Sequence, residues 1–222
     1  MNVLVIAPHM DDEVLGAGGT IVKHVAQGDR VCVCIAANRA YGHRYSRAAI
    51  EKERQAARRA QKILGYHEAR FLDLPDEQLD RAVIEVIVPL ERVYDATRPD
   101  IVYTCHRGDV HQDHRAVFEA SMVVCRPMQR HRPRRLLSYE VPSSSDQAPP
   151  FADRRFLPNC YEVLTSTQLA TKIDALRCYE RESRDFPHPR SAEGIATYAK
   201  TRGMEAGSKA AEAFMIIREL RG

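Results

Sequence analysis

The feature that most constrains this chain is a rhythm of short apolar runs separated by stretches with helical spacing. Val3–Ala7, Val31–Ala37 and Ile101–Cys105 are almost wholly apolar, as strands buried on both faces of a parallel sheet must be. Arg70–Leu74 is a shorter run of the same kind. Between them lie a glycine-rich stretch that runs to Ala26 and stops at Gly28, then Ser46–Leu64, Leu79–Thr97 and Gln112–Cys125. Gly65 suits a C-cap for the second helix, and Pro89 is a candidate kink in the third. Four β–α repeats in succession imply βαβ crossovers and a mostly parallel, doubly wound, Rossmann-like α/β sheet flanked by helices.

The remainder is less regular. Leu136–Val141 and Cys160–Leu164 read as further strands, and Thr167–Glu182 as a helix. Ser191 opens a last helix through Arg202 that Gly203 should end, while residues 213–220 suit strand or helix equally. Residues 142–159 are polar and Pro-rich, a loop, and Pro187 and Pro189 forbid a helix at 186–190. A length of 222 residues fits one domain, expected as a core over 1–135 and a C-terminal extension over 136–222 that completes the site.

Composition removes whole classes. With 44% hydrophobic and 28% charged residues, disorder and fibres are excluded. No apolar run reaches the roughly 18 residues of a membrane span. The opening run is too short for a signal peptide and lacks its basic start, so a cytoplasmic protein with no membrane partner is expected. The net charge is only +3, and although Arg residues cluster at 44–59 and 126–135, 30 acidic residues are interspersed; an ion-paired surface, not a nucleic-acid partner, is the better reading. The six cysteines form no CxxC pair and suit small buried hydrophobes. A homo-oligomer is compatible with the sequence but not required by it.

The glycines after the first strand suggest a dinucleotide fold, but the pattern fails. That strand runs into Pro8-His9-Met10-Asp11-Asp12-Glu13, where three acidic groups would repel a pyrophosphate and welcome a cation. A second constellation, His106-Arg107-Gly108-Asp109-Val110-His111-Gln112-Asp113-His114, follows the fourth strand. In a doubly wound sheet both segments fall beside the point where strand order reverses, the usual ligand crevice. Two imidazoles and one carboxylate with a water make a recurring catalytic zinc set. His9, Asp11, Asp12, His106, His111 and His114 all compete for it, and spacing does not choose among them. Adjacent Asp11 and Asp12 do point different ways, so one can ligate while the other faces the water. The same donors accept Fe(II), Co(II) or Mn(II).

These residues resemble the PIG-L/LmbE-like zinc-dependent N-acetylglucosaminide deacetylases. PHMDDE at 8–13, VLGAGGT at 14–20 and HQDH at 111–114 match that family's signatures, with Met10 where proline is usual. FLDLPD at 71–76, PDIVYT at 99–104, HPRS at 188–191 and RGMEAGSKAAEAF at 202–214 extend the likeness along the chain. The resemblance implies zinc held by His9, Asp12 and His114, with Asp11 as general base. It implies that His111 stabilises the oxyanion or protonates the leaving amine, and that Asp113 orients His111. Arg190, Ser191 and His106 are expected at the substrate. Asp109 stands where some members carry a tyrosine oxyanion donor. The implied substrate is an N-acetyl amino sugar or conjugate. The alternatives are hydration of an unsaturated dicarboxylic acid, for which the Arg-rich chain could supply clamps, and a metal-free binding module.

Overall fold

The computed structural model of the chain describes residues 1–38 and 46–221. Five parallel strands form the heart of a seven-stranded sheet: β1 (Asn2–Ala7), β2 (Arg30–Ala37), β3 (Glu68–Leu74), β4 (Ile101–Cys105) and β5 (Arg135–Tyr139). Two more strands, β6 (Cys160–Val163) and β7 (Ala211–Glu219), complete it in the order β3-β2-β1-β4-β5-β7-β6. β7 runs antiparallel to both β5 and β6. The apolar runs are buried as their composition demands: five of the six β1 residues and seven of the eight in β2 are inaccessible. The ambiguous tail is therefore a strand, because β5 needs a partner on its far edge.

Among the described residues, six α-helices cover the sheet: α1 (Asp12–Ala26), α2 (Arg47–Leu64), α3 (Val83–Thr97), α4 (Gln112–Val124), α5 (Ser166–Leu176) and α6 (Ala192–Glu205). The glycines of α1 serve packing. A Cβ on Gly16 would lie 2.1 Å from the Tyr139 ring, and that ring is pinned because its hydroxyl donates to the Ile6 carbonyl at 2.7 Å.

Three expectations need correction. α3 begins at Val83, not Leu79, because the backbone N–H groups of Glu77 and Leu79 donate to the Asp113 carboxylate and hold that stretch as a loop. α5 ends at Leu176, six residues early, since the chain turns there to bring the Tyr179 hydroxyl to Glu13. Gly203 lies inside α6 and does not stop it. Its lack of a side chain instead admits the Ala210 backbone, whose nitrogen would sit 2.6 Å from a Cβ.

The segments after β1 and β4 emerge side by side, since those strands pair directly. Strand order reverses at that pair, which makes it the topological switch point. The start of the arginine cluster at 44–59 lies outside the described residues.

Candidate functional site

At the switch point, His9 Nδ1, Asp12 Oδ2 and His114 Nε2 form a triangle with every edge 3.2 Å. The three residues are 1–5% exposed. His9 comes from the turn after β1, Asp12 opens α1, and His114 lies in the first turn of α4. Tetrahedral donors about 2.0–2.1 Å from a common zinc would be spaced by roughly 3.3 Å, so the triangle fits a transition-metal ion. Two further observations agree. Asp12 Oδ1 is buried without a hydrogen-bond partner. The remaining nitrogen of each imidazole faces a carboxylate: His9 Nε2 lies 3.0 Å from Asp76 Oδ1 and 3.2 Å from Asp113 Oδ2, and His114 Nδ1 lies 3.1 Å from Asp109 Oδ2. Metal-ligating histidines are oriented in this way.

The cluster is built to hold positive charge. Burial alone would lower the His9 pKa, but bonds to Asp113, Asp12 and Asp76 outweigh it and raise it well above the usual value. Burial is likewise overcome at His114, which Asp12 and Asp109 push up to about 9. Against its own burial, Asp12 is held well below the carboxylate range by His114 and His9. His111 goes the other way. Burial, then its neighbours His9 and His114, lower it to about 4. Its Nδ1 accepts the Asp113 backbone N–H at 3.2 Å, so the neutral ring carries its proton on Nε2 and is a hydrogen-bond donor there.

Asp11 is fully buried and adopts φ 131°, ψ −27°, a conformation that L-residues rarely hold outside functional sites. It makes no side-chain cap to α1. Its Oδ2 instead accepts from Arg190 Nη1 at 2.8 Å.

Other expected residues take different places. Asp113 does not turn its carboxylate to His111; it binds His9 and the 77–79 loop. Arg190 binds Asp11, Glu182 and Ser143. Ser191 caps α6 by accepting the Gly194 N–H at 2.8 Å. His106 donates through Nε2 to the Arg154 carbonyl at 3.0 Å and meets Phe156 edge-on, which ties down the 142–159 loop.

The sequence alone assigns no role to Asp76 or Tyr179, marks Glu13 only as one of three acidic groups that would welcome a cation, and marks Asp109 only by a missing tyrosine. Asp76 lies in FLDLPD and Glu13 in PHMDDE; a carboxylate within a few residues of the ends of β1, β3 and β4 is the sequence signal for them. Tyr179 offered none.

Fold and site together define a doubly wound α/β protein with a buried His/Asp cluster at its switch point. The chain belongs to the PIG-L family, described as GlcNAc-PI de-N-acetylase, whose pattern matches residues 4–125. It is thus a member of a deacetylase family. It is 29% identical over 181 residues to the uncharacterized deacetylase YaiS of Escherichia coli K12, covering 79% of this chain and 89% of that one. Its fold resembles N,N'-diacetylchitobiose deacetylase of Pyrococcus horikoshii, with TM-score 0.78 and 20% identity over 97% of this chain and 83% of that one. It also resembles the 4-carboxy-2-hydroxymuconate hydratase GalB of Pseudomonas putida KT2440, with TM-score 0.79 and 21% identity over 100% and 98% of the two chains. No helix among the described residues is long and apolar enough to cross a membrane.

Proposed function

We propose that this chain is a metal-dependent N-deacetylase that removes the acetyl group of a 2-acetamido sugar or sugar conjugate. The observation that carries the reading is the 3.2 Å triangle of His9, Asp12 and His114 with Asp11 beside it. Family membership and relatives named as deacetylases support it.

His9, Asp12 and His114 would hold the cation, zinc being the first candidate from two imidazoles and a carboxylate. When bound, such an ion supplies a Lewis acid and a water acidified to a pKa near roughly 7. Asp11 accepts the proton of the attacking water, and Arg190 fixes the orientation of its carboxylate. The neutral His111 ring donates from Nε2 to the oxygen of the tetrahedral adduct, the role of an oxyanion-hole donor. Asp11, then protonated, returns the proton to the departing amine. Asp76 and Asp113 keep His9 turned with Nδ1 toward the triangle.

The test is metal analysis of zinc-supplemented protein, followed by an assay of acetate released from a panel of N-acetylglucosamine conjugates. About one divalent ion per chain with acetate release is expected. No stoichiometric ion would overturn the reading in favour of a metal-free binding module. Turnover of an unsaturated hydroxy diacid without acetate release would overturn it in favour of a hydratase.

A further inference from the structure

We infer that Asp109, clamped by Ser144 and Ser145, is a positioning residue that sets the His114 ring and so the strength with which the site holds its cation. This deepens the reading above and rests on it.

Asp109 is fully buried, and both of its oxygens are committed. Oδ1 accepts the His111 backbone N–H at 2.9 Å and the Ser144 hydroxyl. Oδ2 accepts the Ser145 hydroxyl at 2.7 Å and lies 3.1 Å from His114 Nδ1. The pair is a close charge contact and not an aligned hydrogen bond; a carboxylate at that distance favours the His114 proton on Nδ1, which leaves the Nε2 lone pair for the side of His9 and Asp12. Two hydroxyls and an amide fix the rotation of the carboxylate, whose charge then draws the Nδ1 side of the ring toward it.

The serines belong to a strap that follows β5, bent where Ser143 takes φ 69°. Ser143 Oγ accepts from Arg190 Nε at 2.8 Å, and Arg190 Nη1 reaches Asp11. Three consecutive serines therefore touch both halves of the site, one through Arg190 to Asp11 and two through Asp109 to His114. A purely structural knot joining the start of α4 to this strap would make the same bonds but predicts a different outcome.

The test compares wild type, Asp109→Asn and the double variant Ser144→Ala/Ser145→Ala as full-length, metal-stripped proteins. Zn2+ affinity is read by competition with a chromophoric chelator, and thermal midpoints of the metal-free forms are read alongside. Asn keeps the shape of the side chain but opposes an NH2 or a weaker acceptor to His114 Nδ1. Asp109→Asn should weaken Zn2+ binding roughly 10- to 100-fold, and the double serine variant should weaken it to a smaller degree. Affinity within twofold of wild type for a folded Asp109→Asn, even with a lowered midpoint, would overturn the inference. Should Asp109→Asn fail to fold, unchanged affinity in the double serine variant overturns it equally. Failure of wild type itself to bind Zn2+ is a separate outcome, which removes the metal reading and this inference together.

Discussion

Arg190 Nη1 lies 2.8 Å from Asp11 Oδ2, although 179 positions separate the two residues. The same guanidinium nitrogen reaches Glu182 Oε2 at 2.6 Å, and the side chain is only 15% exposed. A planar fork at the edge of a buried site can hold two carboxylates in fixed directions, which a lysine cannot do. Arg190→Ala removes this guanidinium from the buried Asp11 and the partly exposed Glu182, at a cost of roughly 3 kcal/mol in folding stability. Arg190→Lys should recover much of that stability but little of the activity, because the Asp11 carboxylate loses its orientation. Denaturant midpoints and kcat for the pair check this; equal activity in Arg190→Lys and wild type would argue against an orienting role.

Adjacent Asp11 and Asp12 should separate cleanly by mutation. Asp12 contributes an edge of the donor triangle, whereas Asp11 points to Arg190. Asp11→Asn should retain its cation and lose roughly 10²- to 10⁴-fold in kcat, the range for a missing general base. Asp12→Asn should lose the cation itself. Metal content per chain, measured beside acetate release, distinguishes the two.

Glu13 should make stability fall as pH rises. Burial pushes its carboxyl from 4.5 up to about 7, against the opposing bond from the Tyr179 hydroxyl. The folded chain therefore holds this proton more tightly than the unfolded one. The stabilisation is complete below about pH 4.5 and is lost as pH climbs through about 7, a change of roughly 3 kcal/mol. Glu13→Gln removes this titration, so its urea midpoint should gain on that of wild type between about pH 5 and about pH 8. Parallel curves for the two proteins would show that Glu13 does not titrate there.

Gly16→Ala should destabilise the fold by roughly 3 kcal/mol, near the upper range for overpacking. The new methyl would meet a Tyr139 ring that its own hydrogen bond to Ile6 holds in place. Gly28→Ala is the control for added bulk: nothing lies within 4 Å of a Cβ there, and its φ of +79° should give a smaller loss from backbone strain alone. Calorimetric midpoints of the two variants decide the matter. Equal losses would mean that Tyr139 yields.

Much of this was legible locally. Apolar runs such as Val31–Ala37 predict buried parallel strands because a strand covered on both faces has no polar side to show. The motifs PHMDDE and HQDH located the cluster because chemistry needs those donors within a few residues of a strand end. Helix ends were less legible. The 77–79 loop and the turn after Leu176 are drawn out of helical geometry by Asp113 and Glu13, partners remote in sequence.

By itself, the sequence determined the strand rhythm, the switch-point crevice and the two His- and Asp-rich segments that meet there, because hydrophobic period and residue type act over short range. Tertiary structure alone decided which carboxylate serves which ring: Asp113 and Asp76 for His9, Asp109 for His114, Arg190 for Asp11. Hydrogen bonds act over about 3 Å, and no spacing along the chain states which side chains folding brings within that reach.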